Sequence, residues 1–185
     1  MVQGAALDLD RSIVTRDGWR LRIRPIWPED APALIEMAER STPEDLRLRF
    51  FTPVRLDHGT LAARLTRYDH DRQIAVAAWD PASPRGEGEF LAVMRLICAP
   101  DDSSGEFAVM VRSDLKGHGV GRRLMEEMLG WAVARGLPRV EGVVLAENRA
   151  MLHMVRACGG VVEPYGDDFP AVRVRFDPAV LDPAG

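Results

Sequence analysis

The stretch that decides the fold is Glu106-Phe107-Ala108-Val109-Met110-Val111, then Arg112-Ser113-Asp114-Leu115, Lys116-Gly117-His118-Gly119-Val120-Gly121 and Arg122-Arg123-Leu124-Met125. Residues 107 to 111 are all apolar, and so short a run predicts a buried strand. After the glycines, apolar residues recur at helical spacing, which predicts an amphipathic helix with one buried face. These are Val120, Leu124, Met128, Trp131 and Ala132. The stretch therefore predicts a strand, a turn, a glycine loop and a helix, in that order.

The glycine loop has the properties of an anion site. Three glycines within five residues let backbone N–H groups approach a ligand, and the first turn of a helix adds unpaired donors at the positive end of its dipole. Phosphate is the ligand that such a loop favours. A tight strand-to-helix turn that binds nothing is the alternative, and the pattern alone leaves it open.

Two familiar phosphate-binding motifs do not fit the loop. A dinucleotide fingerprint needs a third glycine where Arg122 stands. The loop of P-loop nucleotide hydrolases ends in Gly-Lys-Ser/Thr, whereas this loop ends in Gly121-Arg122-Arg123. The sequence therefore excludes both motifs.

Length and composition predict one ordinary globular domain. The chain has 185 residues, of which 46% are hydrophobic and 28% are charged. No stretch approaches the roughly 20 apolar residues of a membrane span, and no basic-then-apolar signal sequence opens the chain. We therefore expect a cytoplasmic protein without a membrane partner. Cys98 and Cys158 give no disulfide framework and are expected to be buried thiols.

The charge distribution argues against a nucleic-acid partner. The formal net charge is -4, whereas proteins that bind a phosphate backbone usually carry a basic surplus or stripe. A local basic cluster surrounds the glycine loop, which suits a small polyanion but also an ordinary solvated face. Its members are Arg112, Lys116, His118, Arg122 and Arg123. No set of His, Cys or carboxylate residues has metal-ligand spacing, so no metal is expected.

The remaining elements predict a mixed sheet. Strands are expected at residues 19–24, 73–79, 90–97, 107–111, 140–145, 161–162 and 171–176. Helices are expected at residues 28–37, from Ser41 or Thr42 onward, at 58–68, from the glycine loop to Gly136, and at 148–157. We expect a mobile arm at residues 1–17, one domain at 18–177 and a tail at 178–185. This order predicts an α/β (α+β) fold whose sheet is covered by helices on both faces.

The loop also resembles a family signature. Lys116-Gly117-His118-Gly119-Val120-Gly121 is similar to the Gln/Arg-x-x-Gly-x-Gly/Ala motif of the GNAT superfamily of acyl-CoA-dependent N-acyltransferases, with a lysine in the first position. The resemblance implies a mixed, mostly antiparallel sheet with a splayed, V-shaped cofactor cleft. It implies that the loop holds the pyrophosphate of acetyl-CoA and that the preceding strand and Asn148 bond its pantetheine arm, although Asn148 can also be a plain helix cap. The implied cofactor-binding residues are Val109, Met110, Val111, Lys116, Gly117, His118, Gly119, Val120, Gly121, Arg122 and Asn148.

A narrower resemblance suggests the acceptor. Residues 41–51, 105–109 and 145–152 resemble the acetyltransferase domain of bacterial Pat-type protein lysine acetyltransferases. This implies direct transfer to a protein lysine, with Glu106 as general base, half-buried against Phe107, and with residues 28–70 on the acceptor side. The synthetase-like region that usually precedes this domain in Pat-type proteins is expected to be missing.

Several alternatives remain open at this point. Many GNAT enzymes carry a tyrosine as general acid where this chain has Val155, so the general acid is unassigned. The acceptor can instead be a small amine or amino acid, or the chain can be an acyl-CoA-sensing module without turnover. A covalent route through Cys98 or Cys158 is the least favoured option. No oligomeric state is predicted.

Overall fold

Eight strands form a single sheet in the order β1-β2-β3-β4-β5-β6-β8-β7. The computed structural model describes residues 9–52, 61–166 and 170–180. Its strands are β1 (Arg11–Val14), β2 (Arg20–Pro25), β3 (Gln73–Trp79), β4 (Ala92–Cys98), β5 (Gly105–Val111), β6 (Val140–Leu145), β7 (Val161–Pro164) and β8 (Ala171–Phe176). Its α-helices are α1 (Ala31–Glu39), α2 (Pro43–Phe50), α3 (Leu61–Thr66), α4 (Val120–Arg135) and α5 (Arg149–Ala157).

The sheet is mixed but mostly antiparallel, as predicted. Strands β5 and β6 pair in parallel, and every other neighbouring pair runs antiparallel. The parallel pair is joined by α4, since a parallel connection needs a crossover. The glycine loop consequently lies at the carboxyl end of β5, where the chain leaves the sheet to begin α4.

Each face of the sheet buries its own apolar cluster. Phe107 and Val109 of β5 pack with Leu124 and Met128 of α4, and α5 adds Val155 to the same cluster. On the other face, Met110 packs with residues of α1 and α3, among them Ile35 and Ala62. Alternate β5 side chains thus point into different clusters, as the period of a strand requires. The prediction of helices on both faces is confirmed.

The prediction of a mobile arm at residues 1–17 is wrong for the segment 11–14. Strand β1 pairs with β2, Ile13 is 2% exposed, and Arg11 forms an ion pair with the buried Glu127 of α4. The sequence pattern missed this strand because one buried residue in four gives no detectable period. Residues 1–8 and 181–185, and residues 58–60 of the predicted third helix, lie outside the described ranges.

No helix within the described ranges is long and apolar enough to cross a membrane.

Candidate active site

A V-shaped cleft opens between β5 and β6. The two strands pair at Gly105 with Val140 and at Glu106 with Glu141, and then diverge. The opening holds a cavity of about 510 Å³, a size typical of small-molecule and cofactor sites. Its walls come from β5, β6, the glycine loop, the starts of α4 and α5, and α2. The structure therefore has the splayed cleft that the family resemblance implied.

The glycine loop is shaped for close approach of an anion. Gly117 and Gly119 have φ of +89° and +76°, a conformation that favours glycine. A Cβ on Gly121 would lie 3.1 Å from Val111 Cγ2 and 3.4 Å from Met154 Sδ, so this glycine lets α4 pack closely against β5 and α5.

The N-cap residue of α4 has no side chain that could accept hydrogen bonds from the N–H groups of the first turn. Gly119 caps the helix without a side-chain hydrogen bond, and no acidic residue lies in the first turn. The N–H groups of Val120, Gly121 and Arg122 begin a helix, where such donors have no intrahelical acceptor. A diphosphate fits this end of the cleft, because the donors and the helix dipole both favour negative charge.

Residues Val109, Met110 and Val111 form the arm of β5 that leaves β6. They line the cleft, and β5 has no register partner on β6 in the described structure after Glu106. Because alternate residues of a strand turn their N–H and C=O groups to opposite sides, part of this backbone faces the cleft. An extended amide-containing chain such as pantetheine can bond there.

Asn148 serves as a helix cap and also lines the cleft. Its Oδ1 accepts a hydrogen bond of 3.1 Å from the N–H of Met151, which caps α5. The cap uses the carbonyl oxygen of the side chain and leaves the amide N–H₂ as a donor on the cleft wall. The two roles that the sequence left as alternatives are therefore compatible.

The basic cluster around the loop is largely neutralised by ion pairs. Arg112 is 4% exposed, and its Nη1 lies 2.9 Å from the Glu89 carboxylate. Lys116 pairs with Asp45 of α2, and Arg122 Nε lies 2.9 Å from Glu126. Glu126 lies one helical turn from Arg122 in the sequence, whereas Glu89 and Asp45 are distant residues that the fold brings to Arg112 and Lys116. The site therefore offers a phosphate more backbone amides than free cations.

His118 lies apart from the cleft wall. Its side chain is exposed, and its Nδ1 is 3.6 Å from Asp17 in the turn between β1 and β2. The indole of Trp19 approaches it edge-on with ring centroids 6.0 Å apart. The imidazole thus contacts the β1–β2 turn, and only the backbone of this residue is positioned as part of the loop.

Glu106 lies at the vertex of the V, but it is exposed rather than half-buried. Its side chain lines the cleft beside the last paired position of β5 and β6. The expectation of burial against Phe107 is wrong because successive side chains of a strand point to opposite faces. Phe107 packs in the cluster under α4, whereas Glu106 opens towards solvent on the face of α2.

Helix α2 forms the acceptor side of the cleft and is fixed to both arms of the V. Asp45 accepts hydrogen bonds from Lys116 of the glycine loop and from the Ser113 hydroxyl. Burial alone would raise the pKa of Asp45, but these hydrogen bonds lower it below its ordinary value. Arg47 Nη2 donates to Glu147, in the loop before α5, at 2.6 Å.

The cleft lining includes residues that the sequence analysis did not name as site residues. Among them, Arg49 lines the wall formed by α2, and His153 and Met154 line the wall formed by α5. The family resemblance placed residues 28–70 on the acceptor side, so it gave the segment that holds Arg49 but not the residue. His153 and Met154 lie three and four positions after Ala150, which also lines the cleft, so helical spacing from Ala150 is the signal that could have indicated them.

Of the remaining chemistry candidates, Val155 and Cys98 are buried, whereas Cys158, expected to be a buried thiol, is only partly buried. Val155 is fully buried, so its helix position offers the cleft no proton donor. Burial raises the pKa of both Cys98 and Cys158, which disfavours the thiolate that a covalent route needs. Within the described residues, no three His, Cys, Asp or Glu side chains gather as a metal site.

Comparison with known proteins identifies the family. The model of the acetyltransferase (GNAT) domain matches residues 20–161, which is most of the chain. The chain belongs to the GNAT acetyltransferase family. It is therefore an acyltransferase, and acyl-CoA is the donor that this family uses.

Individual relatives, two of them with solved structures, agree with this assignment. The GNAT domain of S. lividans PAT is 29% identical, covers 94% of this chain and 99% of its own, and superposes with a TM-score of 0.81. Acetyltransferase PA5475 of Pseudomonas aeruginosa is 26% identical over 86% of this chain and 85% of its own length. Spermidine N-acetyltransferase from Vibrio cholerae, solved with CoA and spermine, is 18% identical and has a TM-score of 0.68 over 86% of this chain and 96% of its own. The last likeness shows the fold alone.

Proposed function

We propose that this GNAT enzyme moves the acetyl group of acetyl-CoA directly to the ε-amine of a protein lysine, with Glu106 as the general base. The observation that carries the proposal is the position of Glu106. An exposed carboxylate stands at the vertex of the same cleft whose other end is the uncapped glycine loop. A diphosphate at the loop directs the thioester along β5 towards that carboxylate.

The chemistry requires a base at this point. A lysine amine has a reference pKa near 10.4, so freeing its lone pair at pH 7 costs roughly 4.6 kcal/mol. Glu106 accepts one proton of the ammonium group, the freed nitrogen bonds the thioester carbon, and the carbon–sulfur bond breaks. The second proton that the nitrogen loses passes to water. The electrons leave with the thiolate of CoA, which has a reference pKa near 8.5 and needs little help from an acid. A dedicated general acid is therefore not essential, consistent with valine at position 155.

The charge that develops on the thioester oxygen also needs a donor. The backbone between Val109 and Val111 continues past the last pairing with β6. An N–H group there that points into the cleft is available to the oxygen. This donor belongs to a strand held on its other side by β4, which keeps it fixed during the reaction.

The assignment of protein lysine as acceptor is supported by likeness rather than by contacts. The three segments that resemble Pat-type enzymes lie together in the cleft: α2, the start of β5 and the start of α5. The similarity to the GNAT domain of S. lividans PAT extends over nearly the whole chain. A small amine or amino acid is the alternative acceptor.

Replacing Glu106 tests the base. We expect Glu106→Gln to lower kcat at least tenfold with an unchanged Kd for CoA, because the carboxylate acts on the amine and not on the diphosphate. Glu141→Gln is the matched control: it removes the same charge from the paired position on β6, outside the cleft lining, and should leave kcat within threefold. Full activity of Glu106→Gln would remove Glu106 as base.

The acceptor is tested separately. Lysine peptides, spermidine and free amino acids are each incubated with acetyl-CoA, and product formation is followed by mass spectrometry. The proposal expects the peptides to be modified with the highest kcat/KM. Turnover confined to small amines would overturn the acceptor and leave the role of Glu106 intact.

A further inference from the structure

Arg49 is a cation on the acceptor wall of the cleft. It lies one residue from the end of α2 and lines the cavity together with Glu106, Ala108 and Met110. It also lines a smaller cavity of about 30 Å³ between α1 and β5, so its side chain lies between the two cavities. The guanidinium lies 4.8 Å from the centre of the Phe50 ring.

Arg49 has no carboxylate partner within the described residues. Arginines elsewhere on the same helix and around the cleft are paired: Arg47 with Glu44 and Glu147, and Arg122 with Glu126. Arg49 makes no ion pair or hydrogen bond with another residue of the described ranges. A guanidinium offers five donors, so its place on the cleft wall leaves an anion-binding group facing the substrate.

The surroundings of Arg49 make an unpaired charge unfavourable. The pKa of Arg49 is lowered to about 10, mainly by burial and then by the nearby Arg95, while Glu106 acts in the opposite direction. The group remains charged at pH 7, since this value is well above neutrality. A partly desolvated cation gains more from an anionic partner than an exposed one does.

We infer that Arg49 binds a carboxylate of the acceptor, so that the enzyme prefers an acceptor amine with an acidic group nearby. This inference rests on the proposed function and adds the charge of the substrate. Arginine suits this role because its planar fork matches a carboxylate bidentately. Ala108, beside Arg49, is two residues along β5 from Glu106 on the same face, a rise of about 6.6 Å. An acceptor lysine placed beside Glu106 and an acidic residue of the same acceptor placed beside Arg49 fit that separation.

The test uses wild-type enzyme first. Peptides with a single lysine carry one Glu, Gln or Arg at each position from four before to four after it, and kcat and KM are measured for each. We expect Glu at the preferred position to raise kcat/KM at least tenfold over Gln, through KM. Equal kcat/KM for all peptides would overturn the inference, whereas no turnover of any peptide would overturn the proposed acceptor instead.

Variants of the enzyme then test whether Arg49 is the residue responsible for the preference for an acidic peptide. We expect Arg49→Gln to bring the Glu and Gln peptides within twofold of each other, and Arg49→Glu to favour the Arg peptide. Arg85→Gln, which removes an exposed arginine outside the cleft, should keep the wild-type preference. An equal loss of kcat with every peptide in Arg49→Gln would mean that Arg49 acts through Glu106, and would also overturn the inference.

The source of the carboxylate is resolved by a second pair of acceptors. N-α-acetyl-lysine carries a free carboxylate, and its carboxamide does not. A tenfold preference for the carboxylate that disappears in Arg49→Gln would place the anion in a small acceptor. A preference seen with peptides alone would place it in a neighbouring side chain.

Discussion

Gly119 is the residue whose backbone conformation matters most for the anion site. It combines a φ of +76° with the N-cap position of α4, so it directs the first N–H groups of the helix into the cleft. The cations nearby are already paired within the protein. At the scale of single residues, we therefore propose that the loop would hold a diphosphate mainly through the shape of its backbone.

Substitution of Gly119 should reveal this dependence. We expect Gly119→Ala to weaken CoA binding at least tenfold, because a side chain in the left-handed region costs about 1–2 kcal/mol. Lys116→Gln should change the affinity by less than threefold, because Lys116 is paired with Asp45. Isothermal titration with CoA measures both.

The control for this substitution lies further along the same helix. Gly130 has open space around its Cα, so Gly130→Ala should raise stability by roughly 0.5–1 kcal/mol and leave CoA binding unchanged. A larger loss of affinity in Lys116→Gln than in Gly119→Ala would show that the cation holds the phosphate.

The sequence predicted which residues line the site, but it did not predict all the side chains with which these residues form ion pairs. Glu106, the three glycines and Asn148 line one cleft, as expected from a strand, a turn and a helix start that are adjacent in the chain. The acids that neutralise Lys116 and Arg112 come from residues 45 and 89, and local patterns carry no information on such distant contacts. The exposure of Glu106 depends on which face each helix covers, which is also a tertiary property.

Strand β1 shows how a short element depends on one helix. The carboxylate of Glu127, 4% exposed, lies between Arg11 of β1 and Arg123 of α4. Removing one partner of a buried ionic group leaves the others desolvated and unpaired. The N-terminal strand and the helix that begins at the glycine loop are thus coupled through a single side chain.

The coupling gives a measurable stability difference. We expect Glu127→Ala to lower the free energy of unfolding by about 1–2 kcal/mol, since it removes two ion pairs, while Arg11 and Arg123 keep partial contact with solvent and Arg123 keeps Glu126. Glu126→Ala, one residue away and more exposed, should lower it by less than about 1 kcal/mol. Urea unfolding monitored by circular dichroism compares the two. Equal losses would mean that the buried carboxylate has no special role.

The sequence predicted those elements well in which the hydrophobic pattern extends over six or more residues. Strands β3 and β6 match their predicted bounds, and α4 runs from Val120 to Arg135 as the glycines on either side indicate. Strand β1 was missed because its four residues bury one side chain. Element order and type follow from local periodicity, whereas the divergence of β5 from β6 is a property of the assembled sheet.

Glu89 connects distant parts of the molecule. Its carboxylate accepts a hydrogen bond from the Ser83 hydroxyl in the β3–β4 loop, and it pairs with Arg112 after β5 and with Arg40 after α1. The Ser83 hydrogen bond, followed by those from Arg112 and Arg40, lowers the pKa of Glu89 from 4.5 to about 2. Asp45 and Asp114 are shifted in the same direction.

These lowered pKa values predict acid sensitivity. A carboxylate whose pKa is lower in the folded state stabilises the protein at pH values above its unfolded-state pKa. That stabilisation is lost as the pH falls through the folded-state pKa. For Glu89 the loss begins near pH 4.5 and continues towards pH 2. Between pH 6 and pH 3, we expect the wild type to lose more free energy of unfolding than Glu89→Gln, by on the order of 1–2 kcal/mol. Parallel pH profiles in urea would contradict this role.

The divergence of β5 from β6 creates two strand edges inside the molecule rather than at its rim. Edges at a rim invite other chains to add strands, and natural proteins block them. Here the edges face each other across a narrow opening closed at one end by Glu106 and at the other by the glycine loop. A thin linear amide chain can hydrogen-bond to these unpaired backbone edges. Under the proposed function, the pantetheine arm of the donor would take this place, so the divergence of two strands would itself favour a slender donor.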